Sequence, residues 1–271
     1  MRGNLVAIQL RAGLEDYASN DAFRRRMTGL MEKAAKKVDF NLPTIVCYPE
    51  TVGLWLSFVP EVYEQIKDCK TIIEALIKGI PQNLPRFLGA CWRYKTVAVR
   101  TIFLETALEA EAVYRDTFSG LARRFGCYLQ AGTLYVPPIE DEPVKGRHML
   151  SKKVYNTAYL FGPNGLCLQR VPKRNLSPPL ELRFGFTPGD KTELQPIDTP
   201  LGRLGMLICY DGFHEMLVED YDSKGVQVIL SPSHSDRGWE KPAGFNKSIT
   251  VGEAWERHGL APLVQGRQNI R

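Results

Sequence analysis

The sequence has no Cys-x-x-Cys pair, no long apolar run, no internal repeat and no stripe of basic residues. Each absence removes a class of protein. Its six cysteines (Cys47, Cys69, Cys91, Cys127, Cys167 and Cys209) are widely spaced. That argues against a zinc site or disulfide framework and for free thiols in a reducing compartment. No stretch approaches the roughly 20 apolar residues that span a bilayer. The apolar residues 5–10 lack the length and cleavage pattern of a secretory leader, so a cytoplasmic location without a membrane span is expected. The formal net charge is only +5, with Lys and Arg scattered along the chain. Nothing resembles the clustered basic footprint of a nucleic-acid binder.

What is present is the composition of a globular protein, 44% hydrophobic and 24% charged over 271 residues, long enough to bury a sizeable core. Residues 4–10 are β-like. Residues 21–37 have helical character, with Met27, Leu30, Met31 and Ala34 on one face, and residues 44–48 are again β-rich. Strand, helix, strand is the opening of an α/β fold. Residues 61–80 and 97–125 read as helical, with Pro81, Pro85 and Gly89 expected to break the stretch between them. A strand over 127–136 leads into a polar loop, 137–146. Strands at 156–162 and 166–169 flank Asn164-Gly165, a strong turn signal. A loop rich in Pro and Gly covers 172–190. A buried strand at 204–209, a helix at 215–224, a strand at 226–231 and a helix at 247–258 complete the pattern. It reads as one domain over 1–271 with a helical insertion near 55–118.

Two strand ends carry chemistry. Residues 44–48 deliver Glu50, and residues 204–208 deliver Cys209. Ligand sites of α/β sheets gather at such carboxyl ends, and a thiol needs a base or a positive charge to become a nucleophile. Taken alone this is weak, because a cysteine ending an apolar strand is more often packed in a core.

The wording around these residues narrows the reading. Thr44-Ile-Val-Cys-Tyr-Pro-Glu50, Arg170-Val-Pro-Lys-Arg-Asn-Leu176 and Gly205-Met-Leu-Ile-Cys-Tyr-Asp211 resemble, in that order, the three signature segments of the nitrilase, or carbon–nitrogen hydrolase, superfamily. Val6-Ala7-Ile8-Gln9 is similar to its first strand. Phe186-Thr-Pro-Gly189 and Asp198-Thr-Pro-Leu-Gly202 resemble its lead-in to the cysteine strand.

The resemblance implies a four-layer αββα sandwich. It implies Cys209 as nucleophile, Glu50 as base and Lys173 as oxyanion partner, joined by the backbone N–H of Tyr210 beside the substrate. Glu181, eight residues after Lys173, matches a second glutamate found in many members. By itself Lys173, between Arg170 and Arg174, reads as a solvated lysine, and Cys47 as a core residue. The implied reaction hydrolyses a non-peptide C–N bond through a thioester, without metal or organic cofactor, in a homo-oligomer acting on a small amide or N-carbamoyl compound. An amide is favoured because nitrilases proper usually follow the cysteine with Trp-Glu, whereas this chain has Tyr210-Asp211.

Nitrile hydrolysis, acyl transfer on the same fold and a non-catalytic binding module are the alternatives. A Cys–His protease, with His214 or His234 as base, lacks its local signature; both histidines read as loop residues lining a pocket. The family has Pro where this chain has His214. The ending Gln268-Asn-Ile-Arg271 reads as the approach to a strand, so truncation at the C-terminus is expected.

Overall fold

Ser19 opens the first long helix. Its hydroxyl accepts a hydrogen bond from the Ala22 N–H at 3.1 Å, satisfying one of the amides that a helix start leaves unpaired. That helix, α1 (Asn20–Ala35), buries Phe23, Met27, Leu30 and Met31, which recur every three or four residues on one face. The computed structural model describes residues 2–69, 72–82, 84–96, 99–142, 145–177, 181–190 and 194–234, with positions 242, 248, 250, 252 and 253. The expected helix at 247–258 lies largely outside the described residues.

Strands β1 (Asn4–Ala7) and β2 (Thr44–Cys47) flank α1 in sequence. Helices α2 (Val59–Ile66), α3 (Ile72–Gln82), α4 (Leu84–Tyr94), α5 (Arg100–Glu105) and α6 (Ala107–Phe125) follow. Here the structure corrects the sequence reading. Pro81 lies within the last turn of α3, and Pro85 and Gly89 lie inside α4. Pro85 is the second residue of its helix, where an N–H has no intrahelical partner to lose. Pro81 and Pro85 therefore mark a helix boundary, and Gly89 interrupts nothing. Helices α2 to α5 enclose a cavity of about 60 Å³, lined by Ser57, Val62, Ala75 and Thr101 among others.

Strand β3 (Tyr128–Val136) comes next. The polar loop expected at 137–146 is instead largely a hairpin, β4 (Ile139–Glu142) with β5 (Gly146–Met149). Its acidic Glu-Asp-Glu hides a β signal, because cross-strand charge supplies the stability that apolar alternation usually would. Asp141 faces Arg147 across the hairpin at 3.8 Å and also pairs with Arg115 of α6 at 3.1 Å, and Glu142 lies 3.3 Å from His148. Strands β6 (Tyr155–Phe161) and β7 (Cys167–Pro172) form the hairpin that Asn164-Gly165 announces. Strand β8 (Ile197–Thr199) escapes the sequence reading, being three residues long. It precedes β9 (Gly202–Met206), α7 (Glu215–Ser223) and β10 (Val228–Leu230).

Two main sheets result. One has the order β1-β2-β3-β6-β7 and the other β10-β9-β8. Alternate residues of each sheet point to opposite sides, and the buried clusters follow that rule. Val46, Tyr48, Leu129, Ala131 and Tyr159 face α1 and α6, joining Met27, Tyr114 and Phe118. Ile45, Ala158 and Leu160 face the second sheet and meet Leu204, Met206, Ile208 and Leu230. Behind the second sheet, Leu207 packs with Val218 and Tyr221 of α7. The layers therefore run helix, sheet, sheet, helix, as the resemblance implies. Gly205 admits α7 to close range, since a Cβ there would lie 2.8 Å from the Tyr221 ring. The Tyr221 hydroxyl then bonds both the N–H and the C=O of Met206, at 2.9 and 3.1 Å. This anchors the strand that leads to Cys209.

Candidate active site

Glu50 leaves β2 through Tyr48 and Pro49 on a turn pressed into β3. Gly132 makes that approach possible. Its φ is +75°, and a Cβ there would lie 2.1 Å from the Pro49 carbonyl oxygen. The β3–β6 register slips between Gln130 and Thr133, a bulge that re-aims the strand beside the turn. The Thr51 N–H donates to Thr133 Oγ1 at 2.9 Å and the Gly53 N–H to the Thr133 carbonyl at 2.9 Å. Glycine inside an otherwise apolar strand is the sequence signal for such a bulge. Replacing Gly132 with alanine is expected to destabilise the fold by about 1–3 kcal/mol and to displace Glu50. Urea unfolding, read with activity, checks this.

Lys173 follows β7, and its backbone is tied on both sides. Its N–H donates to the Asn156 carbonyl at 2.8 Å, and its carbonyl accepts from the Gly189 N–H at 2.7 Å. The side chain is 1% exposed, the reverse of the solvated lysine that its basic neighbours suggest. Nζ lies 2.8 Å from Glu50 Oε1 and 2.8 Å from Glu181 Oε2. Burial works against its charge, but the two carboxylates outweigh burial and hold its pKa above the usual lysine range. The second oxygen of Glu181 accepts from Tyr135 Oη at 3.1 Å and Asn156 Nδ2 at 2.6 Å. Asn156 Nδ2 also donates to Glu50 Oε1 at 2.9 Å. Glu50, Lys173, Glu181 and Asn156 thus form one buried network.

Cys209 begins a short 3-10 helix, Cys209–Phe213, separated from the end of β9 by two residues. Its φ is +47°, a left-handed conformation uncommon for a residue with a Cβ. The turn is held from two sides. The Cys209 N–H donates to the Pro232 carbonyl at 3.0 Å. The Asp211 carboxylate accepts from the N–H groups of Asn175 at 2.7 Å and Arg174 at 3.2 Å, linking the cysteine turn to the lysine loop. The thiol lies 3.7 Å from the His234 carbonyl, and the His234 N–H donates to Glu50 Oε2 at 3.2 Å. Burial, reinforced by the charge of Glu50, pushes the thiol up to about 12 despite the opposing charge of Lys173.

Glu50, Lys173, Glu181 and Cys209 are therefore brought together. Tyr210, next along the turn, has its ring 5.9 Å from Phe213 and 5.1 Å from His214. Asn156, Asp211 and the His234 backbone are neighbours of these residues that the sequence reading did not assign. His234 enters through its peptide groups and His214 contacts Tyr210, so in the described contacts neither imidazole bonds the thiol.

A sequence profile of the carbon–nitrogen hydrolase family matches residues 84–249, more than half of the chain. The chain belongs to the carbon–nitrogen hydrolase family. Omega-amidase NIT2-B of Xenopus laevis is 32% identical over 174 residues, 61% of this chain and 56% of the relative. This family member thus spans about half the length of that curated relative. A carbon–nitrogen hydrolase structure from Helicobacter pylori superposes with a TM-score of 0.53 at 19% identity, covering 93% of this chain and 65% of the other. An amidase structure from Nesterenkonia sp. gives 0.52 at 18% identity, covering 88% and 68%. At that identity the likeness is one of fold, and it agrees with the helix–sheet–sheet–helix layering.

Proposed function

We propose that this carbon–nitrogen hydrolase family member hydrolyses the C–N bond of a small amide or N-carbamoyl compound through a thioester on Cys209. The observation that carries the reading is the meeting of a buried lysine, two carboxylates and a thiol from three separated segments. A thiol held near 12 is protonated at neutral pH, so attack needs a base. Glu50 takes the thiol proton as sulfur attacks the carbonyl carbon, then gives it to the departing nitrogen. Lys173 Nζ and the Tyr210 N–H stabilise the oxyanion. Glu181 holds Lys173 in place. Water activated by Glu50 then cleaves the thioester. None of these steps needs a metal or organic cofactor.

The amide preference over nitriles rests on Tyr210-Asp211 and is consistent with the amidase names of relatives. Among the described residues no helix is long and apolar enough to cross a membrane. A reducing, cytoplasmic setting suits the free cysteines. A homo-oligomer formed through the helices beside the catalytic strands completes the proposal.

The test is ammonia release by the purified chain from short primary amides, N-carbamoyl amino acids and nitriles. Amides or carbamoyl compounds should turn over faster than nitriles. Release of ammonia from none of the three classes would remove the reading.

A further inference from the structure

Asn156 lies at the centre of the site without touching the nucleophile, and one of its atoms has no partner. The residue is fully buried, and among the described residues its Oδ1 receives no hydrogen bond. A buried orphan carbonyl costs about 1–3 kcal/mol and calls for an explanation. The opposite side of the amide supplies one. Nδ2 lies 2.9 Å from Glu50 Oε1, 2.6 Å from Glu181 Oε1 and 3.1 Å from Tyr135 Oη. Turning the amide over would place a third oxygen against two carboxylates. The orphan oxygen is thus the consequence of aiming the donors at both glutamates.

The two oxygens of Glu50 are consequently unequal. Oε1 accepts from Asn156 Nδ2 and from Lys173 Nζ. Among the described residues Oε2 accepts from the His234 N–H at a longer 3.2 Å, and the thiol lies 3.7 Å from the His234 carbonyl. We propose that Asn156 is a positioning residue that pins Glu50 through Oε1 and reserves Oε2 as the atom that exchanges the proton with Cys209. This rests on the thiol-hydrolase reading above.

In the first step the S–H bond breaks and its proton moves to Oε2. The sulfur electron pair forms the S–C bond, and the carbonyl π pair moves onto oxygen. In the second step that oxygen re-forms the double bond, the C–N bond breaks, and the proton on Oε2 passes to the leaving nitrogen. Oε1 keeps its two donors throughout, so the carboxylate does not rotate between steps. Asn156 also places a neutral donor between two carboxylates that share a single cation, Lys173.

Two variants test the assignment. Asn156→Ala removes the pin and is expected to lower kcat about 10- to 100-fold with KM changed less than about threefold, the signature of a misaimed group rather than a lost substrate contact. Asn156→Asp keeps the side-chain volume and decides the matter if the alanine variant does not fold. It adds a third carboxylate, so the acid limb of kcat/KM should move to higher pH by about one unit or more. A carboxylate this close to Glu50 moves that limb whatever the native role of Asn156, so the alkylation rate of Cys209 is the measurement that separates positioning from structure. The rate of Cys209 alkylation by iodoacetamide supplies a readout independent of any substrate, and it should fall in Asn156→Ala as it does in Glu50→Gln. Cys209 labelled at the wild-type rate in Asn156→Ala or Asn156→Asp overturns the role of Asn156 while leaving Glu50 as base. Wild-type labelling in Glu50→Gln instead overturns the base assignment itself, and the role of Asn156 with it.

Discussion

Cys209→Ala is expected to abolish amide hydrolysis, lowering kcat by at least about 10⁴-fold, with the far-ultraviolet spectrum and unfolding midpoint close to those of the parent. Losses of that size follow removal of a nucleophile, because the remaining groups can stabilise an oxyanion but cannot form the covalent intermediate. The change removes one sulfur atom from a half-buried turn and leaves the bonds that hold the turn through its backbone, including that to the Pro232 carbonyl. Alkylation provides the second measurement. Burial holds this thiol well above the usual cysteine range, so thiolate is scarce at pH 7. Preferential labelling of Cys209 at that pH therefore requires help from Glu50. Cys47 is also held near 12 by burial, and its thiol donates to Gln130 Oε1 at 3.2 Å. Among the described residues no carboxylate bonds it, so it should label slowly. An active Cys209→Ala variant, with Cys47 as the labelled residue, would be incompatible with the proposed chemistry.

Lys173→Gln should damage both activity and stability. Losing one oxyanion donor costs about 10²–10³ in kcat, and KM should move far less because the contact strengthens in the transition state. Stability should fall by about 3–5 kcal/mol, the usual cost of removing one partner from a buried ion pair. In this site the loss strands two carboxylates, Glu50 and Glu181, each 2.8 Å from the same ammonium. The pH dependence has a defined sign. A lysine whose folded pKa is raised contributes stability fully below its unfolded value, about 10.4. That contribution disappears only as pH rises through the folded value. The parent and Lys173→Gln should therefore differ in stability at neutral pH and converge only under strongly alkaline conditions. Denaturant titrations at pH 7 and above pH 10 measure both points. Equal stability at neutral pH would contradict the buried network.

The parts of this site legible in the sequence are those fixed by local wording. Glu50, Lys173 and Cys209 each end a β segment inside a recognisable phrase, and Glu181 follows from its spacing to Lys173. The sequence does not reveal where those segments meet. Asn156 stands in a strand that reads as ordinary alternation, and its role exists only because β6 lies beside β3 and under the lysine loop. His234 is misleading in another way. Its imidazole attracts attention as a chemical group, yet its peptide N–H and C=O make the contacts, and those are features of any residue. Charge rather than apolar alternation masks the β4–β5 hairpin, and proline in a first helical turn mimics a break before α4. Gly132 was visible as a glycine within a strand, but the carbonyl it makes room for lies 83 positions back along the chain.

The two sheets contribute different halves of the proposed site. Glu50, Asn156 and Lys173 extend from the five-stranded sheet, whereas Cys209 and the His234 peptide follow strands of the three-stranded sheet. Glu50 and His234 are 184 residues apart in sequence, and Lys173 and Glu50 are 123 apart. Contacts of such separation form after most local structure, since long loops must close before they are rewarded. The helices of this chain can therefore be complete while base and nucleophile remain strangers. Only when the Ile45, Leu160 and Met206 layer has docked do proton acceptor and thiol share a space. The proposed site is therefore expected to assemble late in folding, when one sheet settles on the other.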